Sequence, residues 1–381
     1  MIYLDNGATT FPKPNSVIRN VNNSLIKYSA NPGRSGHKLS LRAAEEIYSC
    51  RKSIKKLFNV ENEENIVFTL NCTMALNTVI FGVLKEGNNV IISSMEHNSV
   101  TRPIEELKSR GVTCSVFDYS YDDDEIIDNV RKLIIPETKL VICTHASNVF
   151  GFRFPIERLC ALCHRYGVLF CVDAAQSAGL FNIDIQENQY DFVCMSGHKG
   201  LYGPMGTGVL IINNRKLKPL LYGGTGTESI NTVQPETLPE RFESGTQNLN
   251  GIAGLHSGVD FVIKKGTDNI YIKEYKLIKY LYDNLKKNKK IELYNKTFEY
   301  GRVAPVLSFN IKGVYSDEAV SKLNRYGICV RGGLHCSPLA HRFMNTIDSG
   351  TIRVVPGAFN TIDDINKLLW SLGNISVKHL E

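Results

Sequence analysis

The run Val168-Leu169-Phe170-Cys171-Val172-Asp173-Ala174-Ala175-Gln176-Ser177 is a short apolar strand that ends in an acid. About one strand-and-helix unit later, Asp191-Phe192-Val193-Cys194-Met195-Ser196-Gly197-His198-Lys199-Gly200 repeats the pattern and ends in a lysine. Neither run alternates apolar with polar residues. Continuous apolar strands of this length are buried on both faces, as in a parallel sheet covered by helices. Ligands of such sheets gather beyond the carboxyl ends of the strands, where Asp173 and Lys199 stand.

The same pattern extends outward, between about residues 40 and 215. Ile66-Val67-Phe68-Thr69-Leu70, Val90-Ile91-Ile92-Ser93-Ser94, Leu140-Val141-Ile142-Cys143-Thr144 and Gly208-Val209-Leu210-Ile211-Ile212 are further apolar strands with helical segments between them. They predict repeated strand–helix–strand units and a mostly parallel sheet. Polar clusters close five of the strands: Asn71-Cys72-Thr73, Glu96-His97-Asn98, His145-Ala146-Ser147-Asn148, Asp173 to Ser177, and Ser196 to Lys199. Five clusters on one sheet edge imply one elaborate site.

After about residue 250 the pattern changes. A basic amphipathic helix from Lys273 through Lys290, a strand at Val306–Ile311, and helices at Ser316–Tyr326 and Ile362–Leu372 predict a smaller α+β unit. The expected division is a large α/β domain over 15–250 and a small α+β domain from 1–14 plus 251–381.

An acid and a lysine delivered by two such strands suit pyridoxal phosphate chemistry. The cofactor needs a Lys to form the Schiff base and an acid to hold its pyridine nitrogen protonated. A Lys after a strand is commonly only a solvated loop residue. The ordered pair at two strand ends favours the cofactor.

Composition bounds the rest. The chain of 381 residues is 43% hydrophobic and 22% charged, as expected of a soluble globular protein. Much of the net charge of +6 falls in Lys264-Lys265 and the basic helix, which reads as a solvated face. No aromatic-studded basic patch supports nucleic-acid binding. No apolar run is long enough to span a bilayer, and Met1-Ile2-Tyr3-Leu4-Asp5 has no signal-peptide pattern, so a cytoplasmic location is expected. The ten cysteines are then read as thiols, most of them buried as small hydrophobes. Cys160-Ala161-Leu162-Cys163-His164 matches a haem-attachment pattern, but it lies on a helix with Pro at its start and Gly at its end. Haem does not fit a chain without export, and no second ligand pair is spaced for zinc. Tyr121-Asp122-Asp123-Asp124-Glu125 carries too few ligands for calcium and reads as a helix start. No metal site is expected.

With these segments in place, the chain resembles the fold-type I pyridoxal phosphate enzymes of aminotransferase class V. More narrowly it resembles the group II cysteine desulfurases, a group that includes selenocysteine lyases. Nine pieces in order carry the resemblance over nearly the whole chain. They are Tyr3-Leu4-Asp5-Asn6-Gly7-Ala8-Thr9-Thr10 with Pro12-Lys13-Pro14, Asn31-Pro32-Gly33-Arg34-Ser35-Gly36-His37, Glu96-His97-Asn98-Ser99, and Ser147-Asn148-Val149-Phe150-Gly151. Val172 to Ser177, Ser196 to Lys199, Arg241-Phe242-Glu243-Ser244-Gly245-Thr246, Arg331-Gly332-Gly333-Leu334-His335-Cys336 and Thr351-Ile352-Arg353 complete them.

The resemblance implies a seven-stranded, mostly parallel sheet, pyridoxal 5'-phosphate as cofactor, and a homodimer with its pocket at the subunit interface. It implies that Lys199 bonds the cofactor and then moves the substrate Cα proton, and that Asp173 pairs with the ring nitrogen. His97 would stack on the ring and assist proton transfer. Gln176 and Asn148 would contact the phenolic oxygen or ring substituents. Cys72, Thr73, Ser196 and His198 would hold the phosphate, with help from the N-terminus of the helix after Thr73. Thr227, or else Thr232, would complete the partner's phosphate site. Arg353 would hold the substrate carboxylate bidentately, and Asn31 and His37 would line the mouth of the pocket.

The implied reaction converts L-cysteine to L-alanine and leaves sulfur on Cys336 as a persulfide for an acceptor protein. L-selenocysteine cleavage, another β-lyase reaction or class V aminotransfer are the alternatives. Cys336 sits among glycines, Ser337 and Pro338, a loop composition unlike that around most other cysteines. His335 and Arg331 are expected to favour its thiolate. The short spacing from Arg331 to Cys336 implies a constrained loop and slow turnover unless an acceptor clears the persulfide. Three departures stand out: Gly7 where the family has Ala, Cys72 where a hydroxyl residue is common, so that a phosphate hydrogen bond is expected to be missing or to come from backbone, and Val355-Pro356 after Arg353, where a Ser and a flexible apolar pair are common.

Overall fold

A computed structural model describes residues 1–33, 35–214 and 217–375. Arg34, part of a motif quoted above, lies outside them. β1 (Ile2–Tyr3), α1 (Asn15–Lys27) and α2 (Lys38–Phe58) precede the central sheet. The sheet begins with β2 (Ile66–Thr69), α3 (Cys72–Val83), β3 (Asn89–Ser93), α4 (Asn98–Lys108), β4 (Thr113–Phe117) and α5 (Asp123–Leu133). It continues with β5 (Thr138–Thr144), α6 (Ile156–Arg165), β6 (Leu169–Asp173), the single turn α7 (Ile185–Asn188), β7 (Phe192–Ser196) and β8 (Gly208–Ile212). Beyond it lie α8 (Leu249–Lys265), α9 (Thr267–Leu285), β9 (Ile291–Leu293), β10 (Leu307–Ile311) and α10 (Ser316–Arg325). β11 (Ile328–Cys329), α11 (Pro338–Phe343), β12 (Ile352–Val354) and α12 (Ile362–Gly373) complete the chain's elements.

The seven strands run in the order β2-β8-β7-β6-β5-β3-β4. β7, β6, β5, β3 and β4 pair in parallel, and β8 is antiparallel to both its neighbours. The burial that the continuous apolar runs imply is present on both faces. Val141, Phe170, Val172 and Val193 point into a cluster shared with α2, α6 and α8. Their alternates Ile142, Cys171, Phe192 and Leu210 point into a second cluster shared with α3 and α4. Cys160 and Cys163 lie in the first cluster with no accessible surface, so the haem-like motif is the packed side of α6. Phe170 is fully buried at the sheet centre. Phe170→Ala is expected to cost about 3–5 kcal/mol of stability, measured as a lowered urea midpoint.

A three-stranded sheet, β12-β10-β9, organises a third cluster drawn from Leu4 and from residues after Leu277 on α9, α10 and α12. β1 pairs in parallel with β11. The basic helix is shifted towards the N-terminus: it begins at Thr267, six residues before Lys273. α9 stops at Leu285, where Lys287 N–H bonds Asn284 O and Asn288 N–H bonds Leu285 O in a tight turn towards β9. The acidic segment is a helix start: Asp122 caps α5 by accepting from Asp124 N–H. No helix among the described residues is long and apolar enough to cross a membrane.

Two of the departures noted in the sequence, Gly7 and Val355, meet in space. A Cβ on Gly7 would stand 3.0 Å from Val355 Cγ2 and 3.2 Å from Arg353 Cζ. Gly7 therefore makes room for Val355 and for the Arg353 guanidinium beside it.

Candidate active site

β2, β3, β5, β6 and β7 present their carboxyl ends on one edge of the sheet, and the five polar clusters follow them. A cleft of about 180 Å³ opens there, lined by Cys72, Thr73, His97, Asn148, Asp173, Gln176, Ser196, His198 and Lys199. The reversed strand β8 begins beneath it at Gly208, where a Cβ would lie 2.5 Å from the carbonyl carbon of Asn71. Only glycine lets the strand pass under the start of α3.

Asp173 is buried at the end of β6, with Oδ1 accepting from Ala175 N–H at 2.9 Å and from the Cys72 thiol at 3.6 Å. Burial pushes its carboxyl above the usual range, although Ala175 N–H and the nearby Lys199 charge oppose that. Desolvation pushes the Lys199 amine below its usual range, against the pull of Asp173. Lys199 Nζ makes no hydrogen bond among the described residues. A desolvated amine held towards its neutral form is nucleophilic. A cationic N–H presented to Asp173 would supply the counter-charge that burial makes costly to lack.

An anion site adjoins this pair. Asn71 caps α3, its Oδ1 accepting from Met74 N–H and its carbonyl from Ala75 N–H. The N–H groups of Cys72 and Thr73 remain unbonded among the described residues, at the positive end of the helix. His198 Nδ1 is buried beside the cleft with no partner. Burial and the Lys199 and Lys13 charges push the His198 imidazole down to about 4, so the ring is neutral. Free helix N–H groups, an unpartnered imidazole nitrogen, a desolvated Lys and a buried Asp around one cleft fit pyridoxal phosphate. The Cys72 thiol itself is directed at Asp173, which leaves its backbone N–H for the phosphate.

His97 caps α4, its Nδ1 accepting from Ser99 N–H at 3.0 Å, which assigns the ring proton to Nε2. Burial, Lys199 and Arg331 push the His97 imidazole down to about 4. Its neighbour Glu96 has no accessible surface. Glu96 Oε1 accepts from Ser93 Oγ at 2.6 Å and Thr144 N–H at 2.7 Å, tying the ends of β3 and β5, while Oε2 has no partner. Burial, and then the charge of Asp173, pushes this carboxyl up to about 8. A raised carboxyl pKa favours folding below its unfolded value and loses that stability as pH rises through 8. Glu96→Gln, which cannot ionise, is therefore expected to gain stability relative to the parent as pH rises from the ordinary carboxyl value of 4.5 to about 8, with no further gain above that, in paired denaturation curves.

The Cys336 loop is tied to the same edge. His335 and Cys336 both adopt left-handed backbone, with φ of 50° and 59°. Such residues each cost on the order of 1–3 kcal/mol and persist only where the surroundings hold them. Asn98 N–H donates to Cys336 O at 2.8 Å. Asn148 brackets the thiol residue: its Nδ2 donates to His335 O at 2.8 Å and its Oδ1 accepts from Ser337 Oγ at 2.6 Å. Both polar atoms of Asn148 are thus engaged with the loop. Cys336 is exposed. The expected help from His335 is absent. The positive φ turns its ring inward to Thr351 O at 3.0 Å, and burial keeps the imidazole far below its usual pKa and neutral.

Besides Cys336 on its loop, four of the expected site residues are not among those lining the cleft. Thr227 and Asn31 line a separate cavity of about 300 Å³, bordered by Tyr48, Glu243 and Thr246. His37 is an exposed cap of α2, its Nδ1 accepting from Ser40 N–H at 3.2 Å. Arg353, in β12, is 1% exposed and paired with Asp5 Oδ1 at 2.8 Å. Gln176 lines the cleft and donates to Gly7 O at 3.0 Å. Sequence reading did not single out Asp5, Glu96 or Ser337 as individual site groups. Ser99, which links His97 Nδ1 to Thr73 Oγ1 at 2.8 and 2.7 Å, was also missed.

Comparison with known proteins agrees with this fold. The family model of aminotransferase class-V matches residues 2–368. A probable cysteine desulfurase of Pyrococcus abyssi is 34% identical over 97% of this chain and 92% of its own length. One of Halalkalibacterium halodurans is 32% identical over 97% and 91%. The apo structure of cysteine desulfurase from Thermococcus onnurineus NA1 superposes with a TM-score of 0.90 at 30% identity, covering 98% of this chain and 94% of that one. The Escherichia coli cysteine desulfurase CsdA gives 0.87 at 26% identity over 98% and 94%. The chain belongs to the aminotransferase class-V family of pyridoxal phosphate enzymes.

Proposed function

We propose that the protein is a cysteine desulfurase that converts L-cysteine to L-alanine and passes the sulfur to Cys336 as a persulfide. The supporting observation is an exposed thiol on a strained loop whose flanking residues are held by Asn148, itself a lining residue of the Lys199 cleft. The cofactor would be held by Lys199, Asp173, His97 and Gln176, with its phosphate at Thr73, Ser196, His198 and the Cys72 N–H. When bound it supplies the electron sink that makes the substrate Cα proton removable.

Lys199 takes that proton from Cα. Neutral His97 keeps its Nε2 proton available at the cleft. The Cys336 thiolate attacks the substrate sulfur: the Cβ–S bond breaks, its electron pair goes to the carbon side, and an S–S bond forms; Cβ then receives a proton and Cα regains one to give alanine. Arg353 anchors the substrate carboxylate.

The active protein is a homodimer. Apolar side chains exposed on α1 and α2, among them Ile26, Leu39 and Leu41, together with Leu70 and Met205, support a partner surface. Thr227, Asn31 and His37 then serve the partner's cleft. We also divide the chain into a large domain over 15–250 and a small one from the remainder, supported by the separate cluster around β10 and β12. Ten free cysteines support the reducing cytoplasm as its compartment. A sulfur-acceptor protein clears Cys336.

The test is to incubate the cofactor-loaded protein with cysteine and with selenocysteine and quantify alanine and reduced chalcogen. Alanine and a Cys336-bound sulfur from cysteine support the reading. Chalcogen release from selenocysteine alone replaces it with a selenocysteine lyase. Pyruvate with free sulfide points to a β-lyase, and aminotransfer without sulfur release points to another class V reaction.

A further inference from the structure

We propose that Asp5 is a stand-in carboxylate: it occupies the Arg353 guanidinium until the carboxylate of the amino-acid substrate takes its place. The inference rests on the reading of Arg353 as the carboxylate anchor.

Arg353 is closed off as it stands. It is 1% exposed, and it is not among the lining residues of the Lys199 cleft. One terminal nitrogen donates to Asn148 O at 2.9 Å and the other to Asp5 Oδ1 at 2.8 Å, while Nε is buried without a partner. A ligand carboxylate reaches this guanidinium only if a neighbour leaves. Asn148 O belongs to the backbone, and Val355 and Gly7 close the space beside the guanidinium. Asp5 is the neighbour that can move, since its side chain retains 19% exposure.

The movement is confined to that side chain. Val355 N–H bonds Leu4 O at 2.7 Å, Asn6 N–H bonds Val355 O at 3.1 Å, and Ala8 N–H bonds Asp5 O at 3.0 Å. These bonds fix the backbone on both sides of Asp5. Electrostatics favour exchange over simple opening. A buried guanidinium stripped of its carboxylate is costly, and Arg331 and Lys199 add positive charge nearby. Replacing one carboxylate by another keeps the charge balance throughout.

The consequence is selective binding. An amino acid displaces Asp5, whereas an amine without a carboxylate has nothing to offer Arg353. The apparent affinity for amino acids is reduced by the fraction of molecules in which Asp5 holds the site.

The experiment measures L-alanine binding to the cofactor-loaded enzyme through the cofactor's absorbance, alongside the KM for cysteine. Asp5→Asn keeps the shape and removes the charge. It is expected to tighten alanine binding and lower KM by about tenfold, with the binding of cysteamine, which lacks a carboxylate, unchanged. Asp5→Glu, which keeps a competing carboxylate, is expected to stay near the parent and controls for folding. Weaker alanine binding in Asp5→Asn overturns the proposal, because Asp5 then holds Arg353 in place for the substrate. Unchanged binding overturns it as well. Arg353→Lys in the same assay separates the two readings. If it binds alanine like the parent, the carboxylate-anchor reading itself fails. If it weakens binding while Asp5→Asn does not tighten it, only the exchange fails.

Discussion

Lys199→Ala is expected to lower turnover of cysteine at least about 10⁴-fold while leaving thermal stability close to that of the parent. Both halves of this expectation follow from the surroundings of the residue. The amine lies in a cleft with Asp173, desolvated towards its neutral form, and makes no hydrogen bond that holds the fold together. The backbone of the loop is secured independently. His198 O accepts from Thr10 N–H at 3.1 Å and from Lys13 Nζ at 2.8 Å, and Lys199 O accepts from Thr10 Oγ1 at 3.2 Å. Removing the side chain deletes the cofactor's anchor and the Cα base together, so the loss exceeds that of an ordinary acid–base residue. Lys199→Arg keeps a cation there without a nucleophilic amine and is expected to be equally inactive. Single-turnover measurements with cysteine, read beside melting curves, check both statements. Residual turnover above about 1% of the parent would remove Lys199 from the chemistry.

The sheet edge could be read from the sequence because burial on both faces makes a strand a continuous apolar run, and its polar end then marks the ligand side. β4 escaped that reading. It is an edge strand in which Thr113 and Val116 are exposed, so its run Thr113-Cys114-Ser115-Val116-Phe117 carries no such signal. The reversed direction of β8 was equally hidden, since an apolar run has no polarity of its own.

Within the site, the residues found were those whose type alone suggests chemistry, such as Lys199, Asp173 and Cys336. The supports escaped because their meaning depends on partners far away in the chain. Asp5 meets Arg353 across 348 positions, and Gly7 is explained by Val355 and the Arg353 guanidinium at the far end of the chain. His335 shows the opposite error. It is adjacent to Cys336 in sequence, yet the left-handed turn sends its ring to Thr351. Proximity along the chain predicted a charge that burial removes.

Cys336→Ala is expected to cut alanine formation from cysteine at least about 100-fold, some 3 kcal/mol in barrier, with the cofactor's absorbance and affinity intact. The Cys336 side chain makes no hydrogen bond to Asp173 or the anion site among the described residues, and the loop is held by other groups: Asn98 N–H on Cys336 O, and Asn148 on His335 O and Ser337 Oγ. Deleting the sulfur therefore leaves the loop's ties in place and removes only the nucleophile. The left-handed conformation of residue 336 disfavours any Cβ equally, so Ala adds no new strain. Selenocysteine distinguishes the thiol's role from a general effect on the cleft, because selenium leaves carbon more readily than sulfur and depends less on a thiol to receive it. The variant should keep much of its selenocysteine cleavage while losing sulfur transfer. Asn148→Ala tests the geometry from the other side. It retains the thiol but releases both flanking residues, and it should slow persulfide formation on Cys336, measured by mass spectrometry of the intact chain after one exposure to cysteine. If Cys336→Ala forms alanine from cysteine at the parental rate and no persulfide is found on the parent, sulfur leaves without a protein acceptor and the enzyme is a lyase.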